Sequence, residues 1–115
     1  MKHLFFLLIT TVGFIFNTSC SSPKPDTGKS SIITVTIEPL RYFTEAIAGD
    51  KFDVVSMVPD GSSPETYDPT PQQLVALAQS QAYFQIGHIG FEQTWIQRLQ
   101  ANTPHLPFYD MSENV

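Results

Sequence analysis

The chain is poor in several residue classes, and each shortage excludes something. A single cysteine, Cys20, occurs in 115 residues, so neither an intrachain disulfide nor a cysteine metal cluster can form. Lys and Arg together number six and never cluster, so the basic stripe of a nucleic-acid binder is missing. Charged residues make up only 15%, whereas aromatic residues reach 12%, which excludes a disordered polyelectrolyte and suits a folded core. There is no G-x-S-x-G, no H-E-x-x-H and no Gly-rich phosphate loop, so the sequence carries no recognisable catalytic motif. The formal net charge of −5 fits a cation ligand without requiring one.

The longest apolar run is Leu4 to Phe16, behind the short basic start Met1-Lys2-His3. Thirteen residues make a helix of roughly 20 Å, too short for a hydrocarbon core of about 30 Å but right for a secretion signal. Small residues follow and then Cys20-Ser21-Ser22, the layout of a bacterial lipoprotein signal in which the cysteine takes the lipid. Asn17 stands where Leu is commonest in that box. The reading is a signal peptide over 1–19, a lipid anchor at Cys20, a flexible Ser/Pro/Lys-rich tether over 20–31 and a domain over 32–115.

From Ile32 onward, strand and helix patterns alternate. Ile32–Ile37 reads as a buried β-branched strand. Pro39 opens a helix in which Leu40, Phe43 and Ile47 fall at helical spacing, and Gly49 ends it. Phe52–Val58 is a second strand, and Pro59–Thr70 is a loop dense in turn formers. Thr70-Pro71-Gln72-Gln73 supplies an N-cap, an N1 proline and a capping-box Gln, with Leu74, Leu77 and Ala78 on the helix's buried face. Ala82–Ile86 is a third strand, ended by Gly87-His88-Ile89-Gly90, and Phe91, Trp95 and Leu99 mark a third helix. Leu106–Tyr109 closes the series as a fourth short strand. This order predicts an α/β fold of right-handed βαβ units, a mainly parallel sheet and three layers. The loops after strands two and three should then open on one edge, where parallel sheets bind ligands.

The loop Pro59-Asp60-Gly61-Ser62-Ser63-Pro64-Glu65-Thr66-Tyr67-Asp68-Pro69-Thr70-Pro71 carries three of its prolines ahead of the helix and reads as a binding loop. It resembles the P-x-G-x-S-P-H-x-Y-x-P-x-P stretch of solute-binding lipoproteins that serve zinc and manganese ABC importers, the cluster A-I family. Thr36-Ile37-Glu38-Pro39-Leu40 with Phe43 and Ile47-Ala48-Gly49 is similar to that family's first strand and helix. Tyr83-Phe84 to Gly90-Phe91-Glu92 resembles its strand, glycine and x-x-[LF]-E segment, and Phe108-Tyr109-Asp110-Met111-Ser112 its next short strand.

The resemblance implies an incomplete N-terminal lobe of a two-lobe protein, because the family continues past the point matching Val115 to a second histidine ligand, a linking helix and a second lobe. It implies capture of Zn²⁺ or Mn²⁺ as transported ligand, delivery to an ABC permease, membrane attachment through the lipid and no chemistry. The family's first metal ligand is the histidine of S-P-H, and Glu65 holds that position here. A carboxylate still binds Zn²⁺, at about 2.0–2.2 Å, and is the harder ligand. His88, in the turn after strand three, is the second candidate, although the resemblance puts no ligand there. His105 reads as a surface residue, and Tyr67 and Asp68 as shapers of the loop, Asp68 through bonds to backbone N–H groups. The rival reading is a non-catalytic surface lipoprotein for adhesion or structure.

Overall fold

A computed structural model of the chain describes residues 31–113. The signal peptide, Cys20 and the tether as far as residue 30 lie outside the described residues. Four strands and three α-helices alternate: β1 (Ser31–Ile37), α1 (Glu38–Ala48), β2 (Phe52–Val58), α2 (Pro71–Ala78), β3 (Ser80–Gln85), α3 (Gly90–Asn102) and β4 (Phe108–Asp110). All pairings are parallel and the order across the sheet is β2-β1-β3-β4. The α/β, three-layer expectation holds. One face packs Met57, Tyr83 and Phe108 against Leu77 of α2 and Phe91 and Leu99 of α3; the other packs Ile33, Val35, Val54 and Phe84 against Leu40 of α1.

The register explains the layers. Ile33 pairs with Val54, while its neighbour Thr34 pairs with Val55 on one side and Tyr83 on the other. Because strand side chains alternate, Ile33 and Val35 of β1 serve the α1 face and Thr34 and Thr36 the opposite one, while Ile37 at the strand's end packs with the α2/α3 cluster. Met57, Leu77, Tyr83, Phe91 and Leu99 are each 0 or 1% exposed. Each such burial is worth about 1.5–3 kcal/mol relative to exposure, so this face holds the dominant apolar cluster.

Two strands start elsewhere than their apolar residues suggest. β3 begins at Ser80, which pairs with Ile32 ahead of a register shift. The Ser80 hydroxyl bonds the Ala76 carbonyl at 2.9 Å and the Thr34 hydroxyl at 2.6 Å, so a polar residue is held in the sheet by side-chain bonds. β4 begins at Phe108 because Leu106 is spent in a turn, its N–H on the Thr103 carbonyl at 3.0 Å. The spacing of Leu40, Phe43 and Ile47 does not define one buried face: Leu40 and Thr44 turn toward the sheet, whereas Phe43 is 61% and Ile47 89% exposed. α2 buries Leu77 and packs Leu74, while Ala78 is exposed.

The loop between β2 and α2 is built as the sequence predicts. Ser62 N–H bonds the Pro59 carbonyl at 3.1 Å across a turn with Gly61 at φ +78°, a value that favours glycine. Thr66 N–H bonds Ser63 O at 3.2 Å, so Pro64 and Glu65 occupy the middle of a second turn. The capping box is present, with Gln73 N–H on Thr70 Oγ1 and Thr70 N–H on Gln73 Oε1. The same Gln73 amide donates to the Met57 carbonyl at 2.7 Å and accepts from the Tyr67 hydroxyl at 3.0 Å, tying the end of the loop to its start.

Candidate functional site

Because β2 and β3 run parallel, the loops that follow them leave the same edge of the sheet. That edge brings Glu65 to the first residue of α3. The Gly90 N–H points to Glu65 Oε1 at 3.4 Å, and a Cβ on Gly90 would run into Oε2 and lie 3.1 Å from the Glu65 Cα. α3 has Ile89 as N-cap and no side-chain cap of its own. The Glu65 carboxylate therefore sits where a helix N-terminus favours negative charge. It is exposed.

His88 lies two residues before Gly90 in the turn leaving β3 and is exposed. Its carbonyl accepts from Gln93 Nε2 at 3.2 Å, and its ring is close enough to Asp110 to favour that carboxylate's charged form. The Asp110 carboxyl is held below the usual carboxylate range first by the Ser112 hydroxyl at 2.7 Å. The Ser112 N–H at 2.8 Å and the Gln85 amide at 3.2 Å act in the same direction. Gly87 has φ +116° and packs against this turn: a Cβ there would meet Ser112 Oγ, with Asp110 Oδ1 at 2.8 Å. The other Gln85 side-chain atom, Oε1, is buried with no partner.

Behind the turn lies a residue to which the sequence alone assigned no role. Glu92 is 3% exposed, and its carboxylate accepts from Ile86 N–H at 2.7 Å, Gly87 N–H at 2.6 Å and the Thr36 hydroxyl at 2.6 Å. The single Thr36 proton goes to the charged acceptor, so the Tyr83 hydroxyl, 2.9 Å away, donates to Thr36. Burial pushes the Tyr83 phenol well above its ordinary value, and the Glu92 charge adds to the shift. The sequence signals were its place in the first turn of a helix and the match of Gly90-Phe91-Glu92 to the x-x-[LF]-E segment, neither of which named its partners.

Other candidates fall elsewhere. Tyr67 does shape the loop, through Gln73 and a ring contact to Phe91 at 6.3 Å between centroids. Asp68 does not: among the described residues its carboxylate has no hydrogen-bond partner, and Asp60 bonds a loop amide instead, at Gly61. His105 is exposed beyond α3, away from Glu65 and His88. A groove of about 500 Å³ lies between the start of α1 and Asp60, with Arg41 paired to Glu38 and Glu45, and contains neither Glu65 nor His88. No group of three or more His, Cys, Asp or Glu that could hold a metal ion occurs among the described residues.

Comparisons with known proteins agree with this architecture. The family model described as ZnuA, "Zinc-uptake complex component A periplasmic", matches residues 33–115. The metal ABC transporter substrate-binding lipoprotein ScbA of Streptococcus cristatus is 32% identical over all of this chain, which covers 40% of ScbA. The manganese ABC transporter substrate-binding lipoprotein PsaA of Streptococcus pneumoniae is 31% identical, again over all of this chain and 40% of its own length. A crystal structure of ZnuA superposes with a TM-score of 0.69 at 41% identity, covering 76% of this chain and 34% of that one. The Mn-bound periplasmic metal-binding protein of Candidatus Liberibacter asiaticus, at 15% identity and a TM-score of 0.63, shares the fold. The chain thus spans about 40% of the length of these curated relatives. With the parallel lobe and its loop edge matched over residues 33–115, the chain belongs to the ZnuA family of periplasmic zinc-uptake components, which are solute-binding proteins of metal transport.

Proposed function

We propose that this chain forms the metal-facing N-terminal part of an extracytoplasmic solute-binding lipoprotein that captures Zn²⁺ or Mn²⁺ and hands it to an ABC permease without doing chemistry. The observation that carries the proposal is the placement of Glu65. It occupies the middle of a proline-set turn at the carboxyl edge of a parallel sheet, in a chain whose relatives are named for zinc and manganese transport. Glu65 is the first ligand in this reading, taking the place of an imidazole, and His88 is a second, weaker candidate. Cys20 is the lipid anchor, in keeping with the lipoprotein names of the relatives. Those names speak for metal transport over adhesion.

Selective Zn²⁺ sites use three or four protein donors in fixed geometry. With one or two, the 115-residue chain binds the ion mostly hydrated and weakly. The direct test is Mn²⁺ titration of the ¹⁵N-labelled mature chain, read as paramagnetic broadening of amide signals. Broadening centred on residues 65–66 and 88–90, and lost at 65–66 in Glu65→Ala, is expected. Broadening centred elsewhere, or unaltered by Glu65→Ala, refutes Glu65 as a ligand.

A further inference from the structure

We infer that Glu92 is the positioning residue of this edge: it holds the β3–α3 turn, which carries His88, in the one shape that sets Gly90 beside Glu65. The consequence for binding deepens the metal-capture reading above and rests on it; the geometry of the turn does not.

The argument starts from the cost of burying a carboxylate, which is several kcal/mol unless donors replace water. Glu92 is 3% exposed and its donors are all accounted for: Ile86 N–H and the Thr36 hydroxyl on Oε1, Gly87 N–H on Oε2. A carboxylate so engaged does not reach out to an ion. Its work lies in what it holds, and two of the three donors are consecutive backbone amides of the chain leaving β3. The third belongs to β1.

The opposite side of that turn is fixed as well. Gly87, at φ +116°, has no room for a Cβ against Ser112 and Asp110, so the turn is caught between Glu92 and the end of β4. Only three residues farther on, the Gly90 N–H meets Glu65 from the loop after β2. Through Glu92 the ends of β1, β3 and α3 are joined directly, and the ends of β2 and β4 through the turn it holds. The two candidate donors ride on segments that this one carboxylate registers to each other.

The test uses the whole mature chain carrying Glu92→Gln, in which an NH₂ group replaces one carboxylate oxygen and opposes a backbone N–H or the Thr36 hydroxyl proton. The expected result is local: amide exchange at Ile86 and Gly87 speeds up about tenfold or more while the amides of β1 and β2 keep their protection. Mn²⁺ broadening, shared in the wild type by residues 65–66 and 88–90, contracts to 65–66. Uniform acceleration of all amides would mark Glu92 as a general stabiliser and overturn the inference, as would an unchanged turn with an unchanged broadening pattern. If Glu92→Gln does not fold, Glu92→Asp takes its place, because it keeps the charge and cannot span both amides; unaltered exchange at Ile86 and Gly87 in that variant overturns the inference equally. If the wild type shows no broadening at either segment, the metal reading fails, and exchange alone decides the role of Glu92.

Discussion

Tyr83→Phe removes one oxygen from the middle of the sheet, and the structure says what that oxygen does. Tyr83 is fully buried, its ring lies 4.8 Å from that of Phe108, and its hydroxyl donates to Thr36, whose own proton goes to Glu92. Phenylalanine keeps the ring packing and deletes a neutral hydrogen bond, which costs about 1 kcal/mol, rising to about 2 kcal/mol because Thr36 is left without its donor. In a domain of this size each kcal/mol lowers Tm by about 4–8 °C. Thr36→Val acts at the charged end of the relay. It takes a donor from a buried carboxylate and strands the Tyr83 hydroxyl, so it should cost more, about 2–4 kcal/mol. The double variant removes both ends of one bond, and its cost should fall short of the sum of the two singles by about 0.5–3 kcal/mol. Urea denaturation of the four proteins, followed by far-UV circular dichroism, closes the cycle. Additive losses, or a Tyr83→Phe cost above that of Thr36→Val, would refute the proton assignment Tyr83 to Thr36 to Glu92.

Three further outcomes follow from the structure. The raised Tyr83 phenol keeps its proton in the fold, so its contribution to stability is complete below the unfolded tyrosine value of about 10 and is lost as the pH rises beyond it. Ultraviolet titration should show part of the tyrosinate signal appearing only with alkaline unfolding, and its full appearance in folded protein would contradict the burial. The lowered Asp110 carboxyl works in the opposite sense: what it contributes is present at neutral pH and is lost as the pH falls below the usual carboxylate range, and Asp110→Asn should remove that acid-side dependence from a series of denaturation curves. Phe43→Gln with Ile47→Gln alters residues 61% and 89% exposed, so stability should move by no more than about 0.5 kcal/mol per site, and a loss well beyond that in the same assay would show that the face is packed in solution.

Much of this was legible beforehand because it depends on local chemistry. The β-branched run of β1, the proline at the start of α1 and α2, the Thr70–Gln73 capping box and the glycine ends of α1 and β3 each specify a backbone shape without reference to the rest of the chain. What escaped notice depends on partners distant in sequence. Ser80 enters β3 because Thr34, 46 residues earlier, accepts its company. Leu40 and Thr44, not Phe43 and Ile47, face the sheet because the packing of α1 on β1 and β2 selects one stripe among several that helical spacing permits. The candidate site divides in the same way. Glu65 was found from its turn and its resemblance, and its seat on the N-terminus of α3 appeared only once two loops 25 residues apart met. Glu92 stood in the sequence only as the last residue of the x-x-[LF]-E match, and its partners Thr36, Ile86 and Gly87 come together only in the fold.

The strand order has a consequence for how the molecule is made. β2 pairs with β1, β3 adds to the other side of β1, and β4 adds to β3. Each new strand finds its partner already synthesised, and none must wait for a later one. A chain that reaches its compartment N-terminus first can therefore pair its strands in sequence order, beginning with β1, α1 and β2 once Val58 has emerged. The Thr36–Tyr83–Glu92 relay cannot form until α3 is out, which makes it the step that locks an already paired sheet.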